Sequence, residues 1–435
     1  MHPGSRFSFL HAADLHLDTP FSGLAKAAPA VAELLRDASL ASFDALVELA
    51  LARRVAFVVI AGDLYDGPER GVRAQLRLRD GLRRLSEAAV PCFIVHGNHD
   101  PLESGWSAIR SFPPGTTVFP HDRVEVVEVH RDGRLLATVQ GISYASRSTS
   151  ENLARRLERP LGGGEGVLHV GVLHCYLEGS PGSHEAYSPC SLADLRRTGL
   201  DYLALGHVHE RSVRLPAVPG DPVVVYPGNS QARSWRASER GAKGVVLAHA
   251  EDGAVREVEF VATDVVRFEE LDCDTSGCAD LGELADALDE QAEEALRAAE
   301  GRALVLRARL RGAGDAHALL ARPGASEELL AHLRDDAAGR VPLLWWDSLH
   351  DETAAGGEPE LEELGRRGDF AADLVATSLL ARQGEPADWT GELTAGLPRP
   401  LAQRVAALLE EEWSWPALVD RGTRRAVEEL SAEAS

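Results

Sequence analysis

Residues 57–66 read FVVIAGDLYD. A short run of aromatic and β-branched residues, closed by a glycine and followed at once by two carboxylates, has the pattern of a strand buried on both faces that ends in a turn. Apolar runs that end in carboxylate, imidazole or amide residues recur at 92–100 (CFIVHGNHD), 168–176 (LHVGVLHCY) and 202–209 (YLALGHVH), and in the N-terminal stretch 7–18 (FSFLHAADLHLD). Further strands are expected at 124–129, 135–140, 223–226 and 244–250. Amphipathic stretches at 29–53, 71–89, 150–157 and 191–198 read as helices between them. Strands alternating with helices predict a layered α/β domain.

Groups just past the carboxyl ends of strands converge on one crevice in an open α/β sheet. Five motifs occupy such positions: DLHLD (14–18), GDLYD (62–66), GNHD (97–100), LHCY (173–176) and GHVH (206–209). They are therefore expected to build a single site. Their inventory is Asp14, His16, Asp63, Asn98, His99, His174, His207 and His209. Carboxylate, imidazole and amide oxygen without thiolate suit Mn²⁺, Fe²⁺ or Zn²⁺, and the ligands suffice for two ions with one carboxylate between them. In extended backbone the outer residues of DLH and HVH share a face, which makes each a two-pronged ligand. Glycines before Asp63, Asn98 and His207 permit sharp turns. Asp18 and Asp66 close their motifs and read as helix caps or as hydrogen-bond supports for His16.

A length of 435 residues is enough for two or three modules. Hydrophobic residues make up 44% and charged residues 26%, the composition of a folded globular chain. No apolar run approaches the roughly 20 residues of a membrane helix, and the N-terminus lacks a leader pattern. Five cysteines without a CxxC pair suggest neither a disulfide framework nor a zinc ribbon, which fits a cytoplasmic protein. The net charge of −23 opposes a nucleic-acid partner. Its distribution weakens that objection, because residues 1–264 hold 28 of the 45 basic and 32 of the 68 acidic residues, a net of −4. Lysine occurs only at Lys26 and Lys243. From 265 the pattern is strand, helix (280–300), strand (303–310), helix (326–334) and VPLLWW (341–346), a small β-α-β-α-β unit. Beyond 351 the chain is acidic and helical, with helices expected at 359–365, 371–382 and 401–412. The domains read as 1–264, 265–350 and 351–435.

The ordered motifs, with HAADLHLDTPF (11–21), HEAYSPCSLADLRRTGLDYLALGHVH (184–209) and YPGNSQARSWRASERGAKG (226–244), resemble the calcineurin-like metallophosphoesterases over residues 6–262. Within them the resemblance is to bacterial DNA repair exonucleases of the SbcD and YhaO type. It implies a β-sandwich flanked by helices, two Mn²⁺ ions, and hydrolysis of DNA phosphodiesters together with an SbcC-type ATPase. Carried over, Asp14, His16 and His209 hold one ion, Asn98, His174 and His207 the other, and Asp63 bridges. Paired dications supply an activated water, and protonation of the leaving alkoxide then falls to His99, with Asp100 orienting its ring.

Gly228, Asn229, Ser230 and Gln231 are expected along the phosphate path, and Arg233 and Arg236 on DNA phosphates or on the plain surface. Trp106 reads as a base-stacking or helix-packing aromatic. In element order residues 265–350 resemble the capping domain of these nucleases. The apolar stripes Leu374, Leu379 and Leu380, then Val405, Leu408 and Leu409 with Trp413 and Trp415, read as core packing or as an ATPase-docking face. A small-molecule phosphodiesterase or a protein phosphatase would use the same ions, and a non-catalytic scaffold is the alternative from another class. Pairing of two copies near Phe112 and Tyr144 is left open.

Overall fold

The chain is described from a computed structural model over residues 6–19, 21, 29–67, 71–103, 108–161, 164, 166–180, 187–355 and 370–383, with scattered positions from 394 to 426. The strands are β1 (Arg6–Ala12), β2 (Val58–Ala61), β3 (Cys92–Val95), β4 (Thr116–Val118), β5 (Glu125–Arg131), β6 (Arg134–Gly141), β7 (Leu168–His174), β8 (Tyr202–Gly206), β9 (Ser212–Arg214), β10 (Val223–Tyr226), β11 (Gly244–Glu251) and β12 (Ala254–Ala262). They form two six-stranded sheets, in the orders β12-β11-β1-β2-β3-β4 and β5-β6-β7-β8-β10-β9. Strands β1, β2 and β3 run parallel, as do β6, β7, β8 and β10.

The continuous apolar runs are explained by burial on both sides. Phe7, Phe9, Phe57, Val59 and Phe93 face Val139, Val170 and Tyr202 of the second sheet across the central core. The Phe9 ring stacks on Phe57 at 4.7 Å and takes the edge of Tyr202 at 5.0 Å. The alternate residues Leu10, Val58, Ile60 and Ile94 pack outward against Phe43, Leu46, Leu78 and Leu82 of α1 (Pro29–Ala52) and α2 (Val72–Glu87). On the other side Leu173, Leu203 and Leu205 pack against Leu153 and against Leu195 of α3 (Leu192–Arg197). The result is the expected β-sandwich flanked by helices.

A third, all-parallel sheet of β13 (Val266–Asp274), β14 (Ala303–Gly314) and β15 (Leu344–Ala355) follows. It is covered by α4 (Leu281–Ala298), α5 (Asp315–Leu320) and α6 (Ala325–Asp336) around Leu284, Leu288, Leu306, Leu333 and Trp346. Asp280 starts α4 by accepting the Glu283 N–H at 2.9 Å, a side-chain cap. Strand β15 runs to Ala355, past the boundary expected at 350, and α5 was not anticipated. Strands β4, β9 and β12 were likewise missed. Where a helix was expected at 150–157 there is a 3-10 turn, Leu153–Arg156. Its Leu153 N–H goes to Ser188 Oγ, and the Arg159 N–H just beyond goes to Thr198 O, so the segment is tied to its neighbours. Tyr144 is fully buried, its ring centroid 5.6 Å from that of His174. The helix expected at 371–382 is α7 (Phe370–Gln383). The helix expected at 359–365, and Trp106, Leu408, Leu409 and Trp413, fall outside the described residues.

Candidate active site

Strands β1, β2 and β3 of one sheet and β7 and β8 of the other deliver their carboxyl ends to one place. The i, i+2 pairs lie beyond the strands, and both residues of the first pair and the leading residue of the second have positive φ rather than extended backbone. Asp14, His16, Asp63 and His207 have φ of 49°, 42°, 48° and 100°. Left-handed backbone is unfavourable for residues with a Cβ and costs about 1–3 kcal/mol each, a strain that concentrates at functional sites. Main-chain bonds hold these turns, from Asp14 N–H to Gly62 O at 3.1 Å and from His16 N–H to Asp63 O at 3.0 Å. Gly97 is required by contact: a Cβ there would lie 2.2 Å from Asp63 Oδ1 and 2.8 Å from His174 Nε2.

Asp14, His16, Asp63 and His174 are buried, and Asn98 and His207 nearly so. The Nε2 atoms of His16 and His209 face each other at 3.2 Å. His174 Nδ1 lies 3.0 Å from Ala61 O, and its Nε2 lies 2.9 Å from Asn98 Oδ1 and 3.4 Å from Asp63 Oδ2. Asp63 also lies 3.8 Å from His16 Nε2, between the two groups of nitrogens. The His207 and His174 ring centroids lie 5.2 Å apart in a T-shaped contact, and the His207 main-chain N–H donates to Asp14. Three groups of possible ligands have their donor atoms within 4.8 Å of one another among the described residues: Asp14 with His16 and His209, Asp14 with Asp63 and His174, and His16 with Asp66 and His99.

Electrostatics suits these groups to divalent cations. Burial, then the adjacent Asp63 carboxylate, pushes the Asp14 pKa well above the usual carboxylate range. Burial lowers the pKa of His16, with Arg233 adding to it, and burial lowers that of His209 against the opposing hydrogen bond and charge of Glu239, so both rings favour the neutral form that can bind a cation. Two buried carboxylates among neutral imidazoles, with no thiolate, make a donor set that cations would relieve.

His99 stands beside this group, 39% exposed, with Nδ1 2.8 Å from Asp66 Oδ1. The same Asp66 oxygen meets Arg233 at 3.0 Å and His16 Nδ1 at 3.4 Å. Burial alone would raise the Asp66 pKa, but hydrogen bonds from His16 and His99 and the charge of Arg233 hold it far below the ordinary range. For His99 burial pulls the pKa down, and the Asp66 hydrogen bond with the Asp63 and Asp66 charges more than reverses it, leaving it raised. This corrects the role expected for Asp100. Its Oδ2 accepts from Leu64 N–H (3.0 Å) and meets His96 Nδ1 (2.9 Å), and its Oδ1 accepts from Gly97 N–H (3.0 Å). Asp100 therefore shapes the turn, while Asp66 holds the His99 ring.

The loop 226–244 contributes differently from expectation. Gln231 is corrected from a substrate contact to a structural clamp: Oε1 accepts Val265 and Val266 N–H (2.9 and 3.3 Å), and Nε2 donates to Val266 O (2.7 Å). Asn229 is buried, with Nδ2 given to Gln231 O at 2.8 Å. Arg233 reaches the site, but onto Asp66, while Arg236 is exposed. Glu239 was missed altogether. Its Oε1 is 2.9 Å from His209 Nδ1, and its Oε2 accepts the Arg233 and Ser234 N–H groups. No motif marks it, because the fold alone brings a residue 30 positions away to the ring.

Comparisons with known proteins agree with this geometry. The family model for calcineurin-like phosphoesterase matches residues 7–211, and that for the middle domain of metallophosphoesterase YhaO matches 268–354. The metallophosphoesterase YhaO of Bacillus subtilis (strain 168) is 33% identical over 346 residues, covering 80% of this chain and 82% of its own length. The chain belongs to the calcineurin-like metallophosphoesterase family. It is thus a phosphoesterase hydrolase, and the match to the YhaO middle domain at 268–354 falls on the third sheet and its helices. A DNA double-strand break repair protein Mre11, from Thermoplasma acidophilum, is 26% identical over 202 residues, or 44% of this chain and 50% of that protein. A dimetal phosphatase from Danio rerio aligns over 59% of this chain and 99% of its own at a TM-score of 0.34 and 13% identity, too distant to carry an argument. Among the described residues no helix of this metallophosphoesterase is long and apolar enough to cross a membrane.

Proposed function

We propose that this metallophosphoesterase hydrolyses phosphodiester bonds of DNA with two divalent cations, manganese by preference, and acts with an ATPase of the SbcC type. Asp14, His16 and His209 would hold one ion and Asn98, His174 and His207 the other, with Asp63 available to both. Bound there, the pair supplies Lewis acidity to the phosphoryl oxygens and water acidic enough to attack near neutral pH. The chain's own residues do the rest. His99, raised in pKa and anchored at Nδ1 by Asp66, presents Nε2 to the leaving 3′- or 5′-alkoxide and gives it a proton. Arg233 keeps Asp66 ionised, so that the ring stays in one tautomer.

The observation that carries this reading is His99 beside the ligand cluster, since only a poor alkoxide leaving group needs such an acid. The relatives named for DNA double-strand break repair support DNA as the substrate. The test is degradation of end-labelled duplex DNA by the full chain, with and without Mn²⁺, for wild type and His99→Ala. Metal-dependent nuclease activity lost in the variant is expected. Turnover of a cyclic nucleotide with DNA untouched would favour the second reading, a small-molecule phosphodiesterase, which the net charge of −23 supports. For the ATPase, removing residues after 386 should abolish co-purification and spare hydrolysis of a small diester.

A further inference from the structure

His209 differs from the other ligands of the proposed centre in how it is supported. His174 is the last residue of β7, and Asp63 and Asn98 follow short parallel strands. His209 lies in irregular chain between β8 and β9. Its ring must nonetheless keep Nε2 within 3.2 Å of His16 Nε2. Its main-chain carbonyl accepts the Asn229 N–H at 3.4 Å and also the side chain of Lys243, immediately before β11 of the opposite sheet. The Lys243 ammonium donates to His209 O at 3.3 Å and also to Ser238 O, the carbonyl preceding Glu239. Glu239 in turn holds His209 Nδ1. One ammonium thus fixes both the backbone of the ligand and the turn that orients its ring.

Lys243 is 6% exposed and is one of two lysines in a chain whose other 43 cations are arginine. An ammonium is a compact point donor that can serve two converging carbonyls, whereas a planar guanidinium needs a wider, flatter acceptor. The negative groups near Lys243 are Glu239, Glu210 and Asp264. Its main-chain N–H donates to Asp264 Oδ2 at 3.2 Å.

We infer that Lys243 is a positioning residue for the metal centre, acting through the backbone of His209 and the Ser238–Glu239 turn. This rests on the dimetal reading above. Removal of outer groups that orient metal ligands typically costs about 10–100-fold in affinity. The experiment is Mn²⁺ titration of the full chain, followed by the electron paramagnetic resonance signal of free Mn²⁺, for wild type, Lys243→Met, Lys243→Arg, Glu239→Gln and the Glu239→Gln/Lys243→Met double variant. Thermal unfolding in chelator serves as the control for folding. The expected result is about 10-fold weaker binding at one of the two sites in both Lys243 variants, with the other site unchanged. In the double variant the loss should be clearly less than the product of the single losses, because both act on one ring. Should Lys243→Met fail to fold in chelator, Lys243→Arg and Glu239→Gln carry the comparison. Unchanged affinity, or equal weakening at both sites, would overturn the inference while leaving the dimetal reading intact. Absence of Mn²⁺ binding by wild type would overturn both.

Discussion

Asp66→Asn removes the carboxylate behind His99, together with its longer 3.4 Å contact to His16 Nδ1. The carboxylate oxygen at 2.8 Å from His99 Nδ1 makes a charge-assisted hydrogen bond. Such bonds are worth about 1.5–3 kcal/mol against about 0.5–1.5 for neutral ones. With His99 39% exposed, solvent screening favours the low end, about 1–1.5 kcal/mol of lost support. At about 1.4 kcal/mol per decade that is roughly a 10-fold fall in kcat/KM on a diester with an alkoxide leaving group. A bis-p-nitrophenyl diester, whose phenolate leaves without a proton, should lose little. The pH profile moves as well. The active form of His99 is protonated, so the rate is lost as pH rises through its pKa. The Asp66 hydrogen bond and charge raise that pKa, and removing them brings the alkaline fall to lower pH. The assay compares kcat/KM for both diesters over pH in wild type, Asp66→Asn, His99→Ala and the double variant. Equal losses on both substrates, or a double variant far worse than His99→Ala, would refute the placing of Asp66 behind His99.

Gly97→Ala forces a methyl group against Asp63 Oδ1 and His174, so Mn²⁺ affinity should fall at least 10-fold while circular dichroism stays native; calorimetric titration checks it. Gln231→Ala strands three buried backbone groups at the start of β13 and should cost about 2–3 kcal/mol in denaturant unfolding, with small-diester hydrolysis retained below the transition. Trp346→Ala empties a fully buried site in the middle domain and should cost that domain about 3–5 kcal/mol, read as an earlier unfolding step by near-ultraviolet circular dichroism.

The sandwich was legible because its strands are buried on both faces. A run such as 57–61 has no polar side to confuse with a helix, and the ligand motifs follow such runs directly. Strand β12 was obscured by its half-buried, charge-interrupted residues, and β4 and β9 are three residues long with little pattern to offer. The clustered carboxylates and imidazoles could be anticipated because metal binding needs particular side chains at strand ends. Their helpers could not. Asp66 and Asp100 are both aspartates closing a motif, and only the turn geometry decides which one meets His99. Glu239 and Lys243 act from a loop whose position depends on the packing of Trp235 against Phe268 and beneath the Arg307 guanidinium, contacts between distant parts of the chain.

The proposed ligands are drawn from both halves of the sandwich: Asp14, Asp63 and Asn98 from one sheet, His174 and His207 from the other. Any cation seated among them is therefore also a rivet through the two layers. Withdrawing it leaves Asp14 and Asp63 repelling each other at the seam, so the starved protein should breathe open there first. Proteases would then read metal supply as lifespan, cutting the depleted molecule and sparing the loaded one.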